Sequence, residues 1–399
     1  MIKVAILGYG TVGSGVYKVL TENADIIEKR VGEALSVKYV LDLRDFPGDP
    51  VESVLVHDFE LIEKDPEVSI VVETMGGLKV AYDFVKRCLL AGKSVSTSNK
   101  ELVAAKGAEL LTIAKEKNVN FMFEASVGGG IPIIRPLLNC VTPDRIEEVS
   151  GILNGTTNYI LTAMAEEGAD YDALIKRAQE LGYAERNPEA DVEGYDSCRK
   201  IAILTSLVCG RQVDYEDIYT EGITKITPED LGYAKQIGGA LRLLGISKIH
   251  DGRVHSIVAP FIVGKNHPLY AVNDVMNAVF VKGNMVGDLM FYGSGAGSLP
   301  TASAVVSDVI EEAKNIGKNI PVTWEAEKLP LADKGEFSCR FLVRTKSAKE
   351  KIEAAFGTVE YLDTDTAAEI AFLTGELTES DFEEKSGKIE LIHRIRVSI

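Results

Sequence analysis

The sequence lacks the features that mark secreted, membrane-spanning or metal-knuckle proteins. Its five cysteines are scattered, unevenly spaced and odd in number, which argues against a disulfide framework and a zinc knuckle. The five histidines show no metal-ligand spacing. No apolar run approaches the roughly 20 residues of a membrane helix, and no signal-peptide pattern precedes the first strand. We therefore expect a cytoplasmic protein with no membrane partner.

Positive charge is also in short supply. Lys and Arg number 43 against 60 Asp and Glu, which leaves a net charge of −17. Without an excess of cations to neutralise phosphates, the sequence predicts no nucleic-acid partner. The remaining composition, 46% apolar and 26% charged, is that of a globular enzyme. Because single cores stop growing near roughly 250 to 300 residues, a chain of 399 predicts two or three domains.

The amino terminus carries a nucleotide-binding pattern. An apolar, β-branched run over residues 2–7 predicts a buried parallel strand. It is followed by a G-x-G-x-x-G motif and by a helical pattern that runs to about Lys29. Gly8 permits the tight turn, Gly10 lets the backbone approach a pyrophosphate, and Gly13 lets the helix pack closely. The phosphates would lie at the positive end of that helix.

Strand and helix patterns then alternate to about residue 125. This alternation predicts an α/β fold, a doubly wound parallel sheet of the Rossmann type, with ligands at the carboxyl ends of its strands. Residues 1–125 are the expected dinucleotide-binding domain. The predicted strands cover residues 37–43, 68–73, 94–96 and 119–124, and the predicted helices cover residues 81–91 and 99–117.

The alternation breaks at the glycines of residues 128–130. Residues 126–320 are expected to form an α+β domain for substrate binding and dimerisation. A helix over residues 300–317 is expected to return to the first domain. The other predicted elements are strands over residues 150–153 and 256–263 and helices over residues 171–181 and 197–208.

The tail, residues 335–399, has a pattern of its own. Its order is β-α-β-β-α-β, which predicts a ferredoxin-like domain. The predicted strands cover residues 336–344, 358–362, 367–373 and 389–398, and the helices cover residues 348–356 and 379–385.

Two polar stretches could carry chemistry. Lys100 lies in the first turn of a predicted helix, where a cation opposes the macrodipole, so either function or simple solvation explains it. Asp196 and Lys200 are four residues apart on another predicted helix and share a face. They form either a surface ion pair worth at most about 1 kcal/mol or, with Asp191 and Glu185, an acidic site for a small cation. The corners at residues 154–159 and 292–297 fit turns as well as ligand contacts.

Six segments together make the sequence similar to homoserine dehydrogenases, over residues 1 to about 315. The tail resembles, less specifically, a regulatory ACT domain. The resemblance implies NAD(P)-dependent interconversion of L-aspartate 4-semialdehyde and L-homoserine, on the route to threonine, methionine and isoleucine. The segments are GYGTVGSG, TSNKELVA, FEASVGGGIPII, GILNGTTNYIL, LGYAERNPEADVEGYDSCRK and FYGSGAGSLPTASAVVSD.

The resemblance also implies roles for individual residues. Lys200 would be the proton donor, and Lys100 would touch both cofactor and substrate. This agrees with the chemistry, because hydride addition to an aldehyde leaves negative charge on oxygen that an ammonium can stabilise. The residues implied in homoserine binding are Glu185 and Asp196, with Asp191 and Tyr183 nearby. Those implied around the cofactor are Thr11, Val12 and Gly13 at the pyrophosphate, Thr74 at the nicotinamide ribose, and Gly182 and Gly297 at the far wall.

A monovalent cation and the choice of cofactor are less closely specified. The resemblance places sodium at Glu124, Val127, Gly129 and Ile131, where hard oxygen ligands suit it. The alternative is that Glu124 caps locally and the glycines form a hinge. After the second strand, Asp42 favours the ribose hydroxyl of NAD, whereas Arg44 favours the 2′-phosphate of NADP. Use of either cofactor is expected.

Effector, assembly and rival functions stay open. The turn at residues 344–347 has neither Pro nor Gly, unlike most ACT domains, so the tail either binds L-threonine or only supports oligomerisation. A homodimer or higher homo-oligomer is the family expectation. One rival function is an aspartate semialdehyde dehydrogenase, which needs a nucleophilic cysteine such as Cys140. The other is a nucleotide-sensing regulator without catalysis.

Overall fold

The computed structural model describes residues 1–364 and 369–398. Its amino-terminal part alternates strands and helices. In chain order these are β1 (Ile2–Leu7), α1 (Thr11–Glu22), α2 (Ala24–Val31), β2 (Leu35–Leu41), β3 (Leu55–Val56), α3 (Phe59–Glu63), β4 (Val68–Glu73), α4 (Lys79–Leu90), β5 (Ser94–Thr97), α5 (Lys100–Lys117) and β6 (Phe121–Met122).

These strands form one parallel sheet in the order β3-β2-β1-β4-β5-β6. Its central strands are apolar and buried, as expected of a sheet covered on both faces. The strand order reverses between β1 and β4, where Leu7 pairs with Glu73. The predicted Rossmann-type sheet is therefore confirmed, and ligands are expected at this reversal point.

Two predicted elements are shorter than expected, each for a local reason. The first helix ends at Glu22 instead of about Lys29, because Asn23 leaves helical geometry with φ −103° and ψ 19°. The strand predicted over residues 119–124 is reduced to β6. At its start the Val119 amide still donates to the Ala114 carbonyl, and at its end the Glu124 amide donates to the Asp308 carboxylate.

The middle of the chain mixes helices with longer strands. A π-helical turn at Pro136–Cys140 precedes the strands. The elements are α6 (Ala125–Gly128), β7 (Ile146–Ile152), α7 (Gly155–Glu167), α8 (Tyr171–Glu180), α9 (Glu189–Val192), α10 (Tyr195–Cys209), β8 (Arg211–Gln212), β9 (Tyr219–Thr220), α11 (Pro228–Gln236), β10 (Gly239–His250), β11 (Arg253–Gly264), β12 (Met276–Gly283), β13 (Gly287–Ser294), α12 (Ser298–Lys314) and β14 (Glu325–Lys328).

The carboxyl-terminal elements follow the order β-α-β-β-α-β with one extra short strand. Residues 367 and 368 of the predicted third strand lie outside the described residues. The elements are β15 (Ser338–Thr345), α13 (Lys349–Phe356), β16 (Glu360–Tyr361), β17 (Ile370–Leu373), β18 (Leu377–Thr378), α14 (Glu379–Ser386) and β19 (Leu391–Ser398).

The carboxyl-terminal strands extend the sheet of the middle of the chain. That sheet includes the strand order β12-β7-β10-β11-β19-β15-β17-β16. The junction is a parallel pairing of β11 with β19, in which Phe261 lies opposite Arg396. Buried rings of Phe261, Phe341, Phe372 and Phe382 belong to one apolar core that spans the junction. The tail is thus packed as part of this sheet.

The described residues form two compact units. Unit 1 comprises Met1–Arg145, Ala202–Tyr215 and Phe291–Leu329, and unit 2 comprises Ile146–Ile201, Glu216–Met290 and the chain from Pro330 onward. In unit 1, α12 lies against α1, where Ser298 Oγ donates 2.6 Å to the Thr11 carbonyl. The three-domain division predicted from sequence stays a prediction. Within the described residues, no helix combines the length and apolarity needed to cross a bilayer.

Candidate active site

The turn after β1 depends on three glycines with different steric roles. Gly8 has φ +93°, a conformation that side chains disfavour. A Cβ atom on Gly13 would lie 2.0 Å from the Gly8 carbonyl oxygen, so only glycine lets α1 pack here. A Cβ on Gly10 would meet no atom of the described residues within 4 Å. The turn therefore leaves a cradle at the amino end of α1, and the cradle fits a pyrophosphate.

A pocket of about 610 Å³ opens beside this turn. Its floor includes the rings of Phe59 and Phe84, which stack in parallel with centroids 3.9 Å apart. Leu43 also lines the pocket and is 91% exposed, so its side chain is not part of an apolar core. Flat and apolar surfaces of this kind suit a planar ring of a cofactor. The lining residues are Gly8, Gly10, Leu41, Asp42, Leu43, Arg44, His57, Phe59, Thr74, Met75, Val80 and Phe84.

The acid and the base after β2 are paired with each other. Arg44 Nη2 donates 2.9 Å to Asp42 Oδ2, and Arg44 Nε donates 3.0 Å to Asp42 Oδ1. The amide of Tyr9 also donates to this carboxylate. The Arg44 guanidinium, despite partial burial of the acid, holds the pKa of Asp42 well below its usual range. Since the Arg44 side chain is 62% exposed, it can still reach a ligand in the pocket.

Glu73 is a buried group beside this turn that was not among the predicted site residues. Its side chain accepts hydrogen bonds from Thr97 Oγ1 at 2.6 Å and from the Met75 amide at 2.7 Å. Burial raises its pKa. Next to it, Thr74 Oγ1 donates 3.0 Å to the Gly8 carbonyl. Glu73 and Thr74 therefore tie the ends of β1, β4 and β5 together. The only sequence signal was an acid at the end of an apolar run.

Lys100 begins α5, which follows β5 at the same edge of the sheet. The preceding Asn99 caps the helix, since its Oδ1 accepts from the Leu102 amide and its Nδ2 donates to the Gly77 carbonyl. Lys100 itself is half-buried. The cap fixes the backbone from which this ammonium projects in unit 1.

A second polar cluster lies in unit 2, on α10 and the end of β7. Lys200 Nζ donates 2.7 Å to Asp196 Oδ2 and 2.7 Å to the Leu153 carbonyl. The Lys200 and Asp196 side chains are 10% and 3% exposed, so this is a buried ion pair. The interpretation of this pair as a solvated surface contact is therefore wrong.

Asn154 connects this pair to Asp191. Its Nδ2 donates 2.8 Å to Asp191 Oδ1 and 2.9 Å to Asp196 Oδ2, while its Oδ1 accepts from the Thr157 amide and caps α7. In the sequence, Asn154 belongs to a corner that fits a turn as well as a ligand contact. An asparagine before a helix usually indicates a cap, and nothing in the pattern showed its second role.

Comparisons with known proteins decide the family. The family model for homoserine dehydrogenase matches residues 132–310, and that for its NAD-binding domain matches residues 8–124. A homoserine dehydrogenase of Bacillus subtilis is 43% identical over 320 residues, which cover 79% of this chain and 73% of that protein. The chain belongs to the homoserine dehydrogenase family. It is therefore an NAD(P)-dependent oxidoreductase.

Relatives of homoserine dehydrogenase type also match at full length. One from Synechocystis is 38% identical and covers 99% of this chain and 97% of its own. A crystal structure from Thiobacillus denitrificans superposes with a TM-score of 0.91 at 34% identity, covering 100% of this chain and 98% of that one. A hyperthermophilic archaeal homoserine dehydrogenase in complex with NADPH has a TM-score of 0.67 at 27% identity, covering 81% and 99%.

Other site residues predicted from family resemblance are exposed within their own units. In unit 2, Gly182 follows α8 with φ +76°, and Glu185 is exposed. Tyr183 is 43% exposed and packs edge-on against Tyr159, with centroids 5.2 Å apart. In unit 1, Gly297 precedes α12 with φ +112°. The role of Glu185 in substrate binding stays a prediction.

Glu124 is engaged with backbone amides. Its carboxylate accepts from the amides of Ile133 at 2.6 Å, Ile134 at 2.7 Å and Arg135 at 2.9 Å. This geometry favours the capping alternative for the carboxylate. Across residues 1–364 and 369–398, no group of three or more His, Cys, Asp or Glu side chains could hold a metal. A sodium ion at Glu124, Val127, Gly129 and Ile131 would have to rely on backbone carbonyls.

Family membership excludes the two alternative functions considered from the sequence. Membership of the homoserine dehydrogenase family replaces the semialdehyde dehydrogenase alternative. Cys140, its required nucleophile, is an exposed cysteine at the end of the π-helical turn. The non-catalytic regulator is likewise replaced by an oxidoreductase.

We predict that Gly10→Ala separates folding from cofactor binding. The added methyl clashes with nothing in the described chain but fills the cradle, so thermal stability should stay at the wild-type value. Affinity for NADPH, measured by fluorescence titration, should fall at least about tenfold, the value of one charge-assisted hydrogen bond. Gly232→Ala, at an open position within α11, is the control. Unchanged NADPH affinity in Gly10→Ala would contradict the cradle.

Proposed function

We propose that the protein catalyses the reversible reduction of L-aspartate 4-semialdehyde to L-homoserine with NADP or NAD. The observation that carries this proposal is the hydrogen-bonded cluster of buried Lys200, Asp196 and Asn154 with half-buried Asp191. It combines one ammonium with two carboxylates in a site of low exposure. A zwitterionic amino acid with an aldehyde side chain offers complementary groups to such a cluster.

The chain's own part in the reaction is to hold charge and to move one proton. When bound, the reduced nicotinamide supplies a hydride to the aldehyde carbon. Lys200 then gives a proton to the oxygen that gains negative charge, which yields the alcohol. Asp196 favours the charged form of Lys200 before this transfer, because an opposite charge at 2.7 Å opposes proton loss.

Binding of the substrate amino acid falls to the acidic groups. Asp196 and Glu185 would take the ammonium of homoserine, with Asp191 and Tyr183 beside them. Lys100 keeps the contact with cofactor and substrate that the family resemblance implies. Thr74 and Gly297 would line the cofactor in unit 1, together with Thr11, Val12 and Lys100. Gly182 keeps the cofactor role that the family resemblance implies.

Cofactor preference would be set at the Asp42–Arg44 pair. Asp42 is neutralised by Arg44, so it is a weaker partner for a ribose hydroxyl than an unpaired acid would be. The exposed guanidinium can instead meet a 2′-phosphate. We infer that NADP is accepted at least as well as NAD, and the archaeal relative in complex with NADPH is consistent with this.

Arg44→Ala should change cofactor selectivity. The KM for NADP should rise by about tenfold or more, the worth of one charged hydrogen bond, while the KM for NAD changes less. Initial rates with each cofactor at saturating L-homoserine measure both constants. Arg30→Ala, a change of another exposed arginine in unit 1, is the control. An equal effect on both cofactors would refute the assignment.

Substrate analogues test the proposed function itself. L-Homoserine should be oxidised, as followed by the absorbance of reduced nicotinamide. 4-Hydroxybutyrate lacks the ammonium and leaves buried carboxylates without their cation, so its kcat/KM should be lower by about a hundredfold or more. 3-Aminopropan-1-ol, which keeps the ammonium and loses the carboxylate, separates the two charges. The proposal fails if L-homoserine is not oxidised, or if 4-hydroxybutyrate reacts equally well.

The carboxyl-terminal module is proposed to be ACT-like. Its strands lie in the order β19-β15-β17-β16, which is fourth, first, third, second along the module, as in ferredoxin-like sheets. Two roles remain for it, binding of L-threonine as an effector or support of a homodimer. Titration of L-threonine into the assay and the mass in solution distinguish the two.

A structural sodium ion near residues 124–131 remains part of the proposal. The carbonyls of Val127, Gly129 and Ile131 are hard oxygen donors of the kind sodium prefers. The bend at Gly129, with φ +57°, turns the backbone sharply between them. Thermal melts with sodium replaced by a bulky organic cation test the site.

A further inference from the structure

A buried charge network ties β19 to the segment that follows β9. Arg396 Nη1 donates 2.8 Å and Arg394 Nη1 donates 3.1 Å to Glu221 Oε2. Arg396 and Glu379 are each 1% exposed, and Arg396 Nε donates to the Glu379 carboxylate as well. Burial acts to raise the pKa of Glu221, but the Arg396 and Arg394 guanidiniums outweigh it and hold that pKa at about 2. Glu221 is therefore ionised at any physiological pH.

The network fixes the backbone around Glu221 in unit 2. The Glu221 amide donates 2.8 Å to the Val258 carbonyl, which attaches this segment to β11. Tyr219 Oη donates 3.2 Å to the same carboxylate oxygen as the arginines. Its ring also lies under the Arg396 guanidinium at 5.4 Å. Main chain and side chain thus hold Glu221 from several directions.

The residues after Glu221 pack against residues 192–194, which comprise the end of α9 and its connection to α10. We call these three residues the elbow. A Cβ on Gly222 would lie 2.2 Å from the Val192 carbonyl oxygen and 2.5 Å from Glu193 Cα, so backbone meets backbone there. The Ile223 amide donates 2.8 Å to the Val192 carbonyl. Thr224 Oγ1 donates 3.0 Å to the Glu193 carboxylate. The elbow is therefore held by the segment that Glu221 anchors.

The elbow separates the two acidic residues of the substrate cluster. Asp191 lies in α9 just before it, while Asp196 and Lys200 lie in α10 just after it. Asn154 bridges the two acids at 2.8 and 2.9 Å. A shift of the elbow would change the spacing that this bridge requires.

We propose that Glu221 is a positioning residue: its bridge to Arg394 and Arg396 holds residues 220–224 against the elbow and so sets the spacing of Asp191 from Asp196 and Lys200. The proposal rests on the function proposed above for that cluster. It makes the carboxyl-terminal strand β19 part of the support of the substrate site, independently of any effector.

Glu221→Gln tests this role, because the amide keeps the size of the side chain and removes its charge. The KM for L-homoserine should rise by about tenfold, since small misplacements of binding groups have effects of this size or larger. The Ile223 amide should exchange its hydrogen faster as the elbow loosens. Affinity for NADPH, bound by unit 1, should not change.

Two further variants make the outcome decisive. Glu360→Gln breaks an exposed pair with Arg340 in the same module and should leave KM and exchange at wild-type values. Thr224→Val removes one elbow contact without touching the buried network, and its KM for L-homoserine should rise by a smaller factor. This variant tests the proposal if Glu221→Gln does not fold. A folded Glu221→Gln with wild-type KM and exchange, or Thr224→Val with unchanged KM, overturns the proposal. A wild-type protein inactive on L-homoserine would instead reject the proposed function, while the exchange data would still report on the elbow.

Discussion

The ion pair between Lys200 and Asp196 is the interaction on which the substrate cluster depends. Both charges are almost fully buried, and breaking such a pair by removing one partner leaves an uncompensated charge at a penalty of about 3 to 5 kcal/mol. The fold supplies further hydrogen-bond partners to this pair locally. Helical i,i+4 spacing brings the pair together. The residues that follow β7 supply the Leu153 backbone carbonyl and the Asn154 side-chain amide.

The proposed cofactor site in unit 1 is formed mainly by close backbone packing, whereas the proposed substrate site in unit 2 is formed by buried charges. The turn after β1 works because Gly13 lets α1 approach the Gly8 carbonyl and because Gly10 leaves open space. The polar side chains next to the turn, Glu73 and Thr74, form hydrogen bonds with the backbone of Met75 and Gly8. This division matches the ligands proposed for each unit. A pyrophosphate needs close backbone amides, whereas a zwitterionic amino acid needs opposite charges.

Much of the fold could be predicted from sequence because its strands are regular. The apolar runs at residues 2–7 and 68–73 coincide with β1 and β4, and the glycine motif lies at the expected turn. The short strands β3 and β6 carry too little periodicity to be detected or bounded. Continuation of the middle sheet through β11 and β19 depends on long-range pairing, which no local pattern encodes.

The site was predictable where spacing alone determines contact. Asp196 and Lys200 meet because they are one helical turn apart. Asn154, Glu73 and Glu221 could not be assigned in this way, since their partners lie on distant segments. The exposed Glu185 shows the opposite case, in which family resemblance alone suggests a role.

Chemical rescue of a Lys200→Ala protein tests the central claim most directly. The account predicts that turnover of L-homoserine, in which Lys200 takes back the proton it gives in the reduction, falls by about a hundredfold or more, in the range of a lost general acid–base group, while NADPH still binds. Small primary amines such as methylamine should restore part of that turnover by replacing the missing ammonium, whereas Lys176→Ala, an exposed lysine of the same unit, should behave as wild type. Wild-type turnover in Lys200→Ala without added amine would contradict the account.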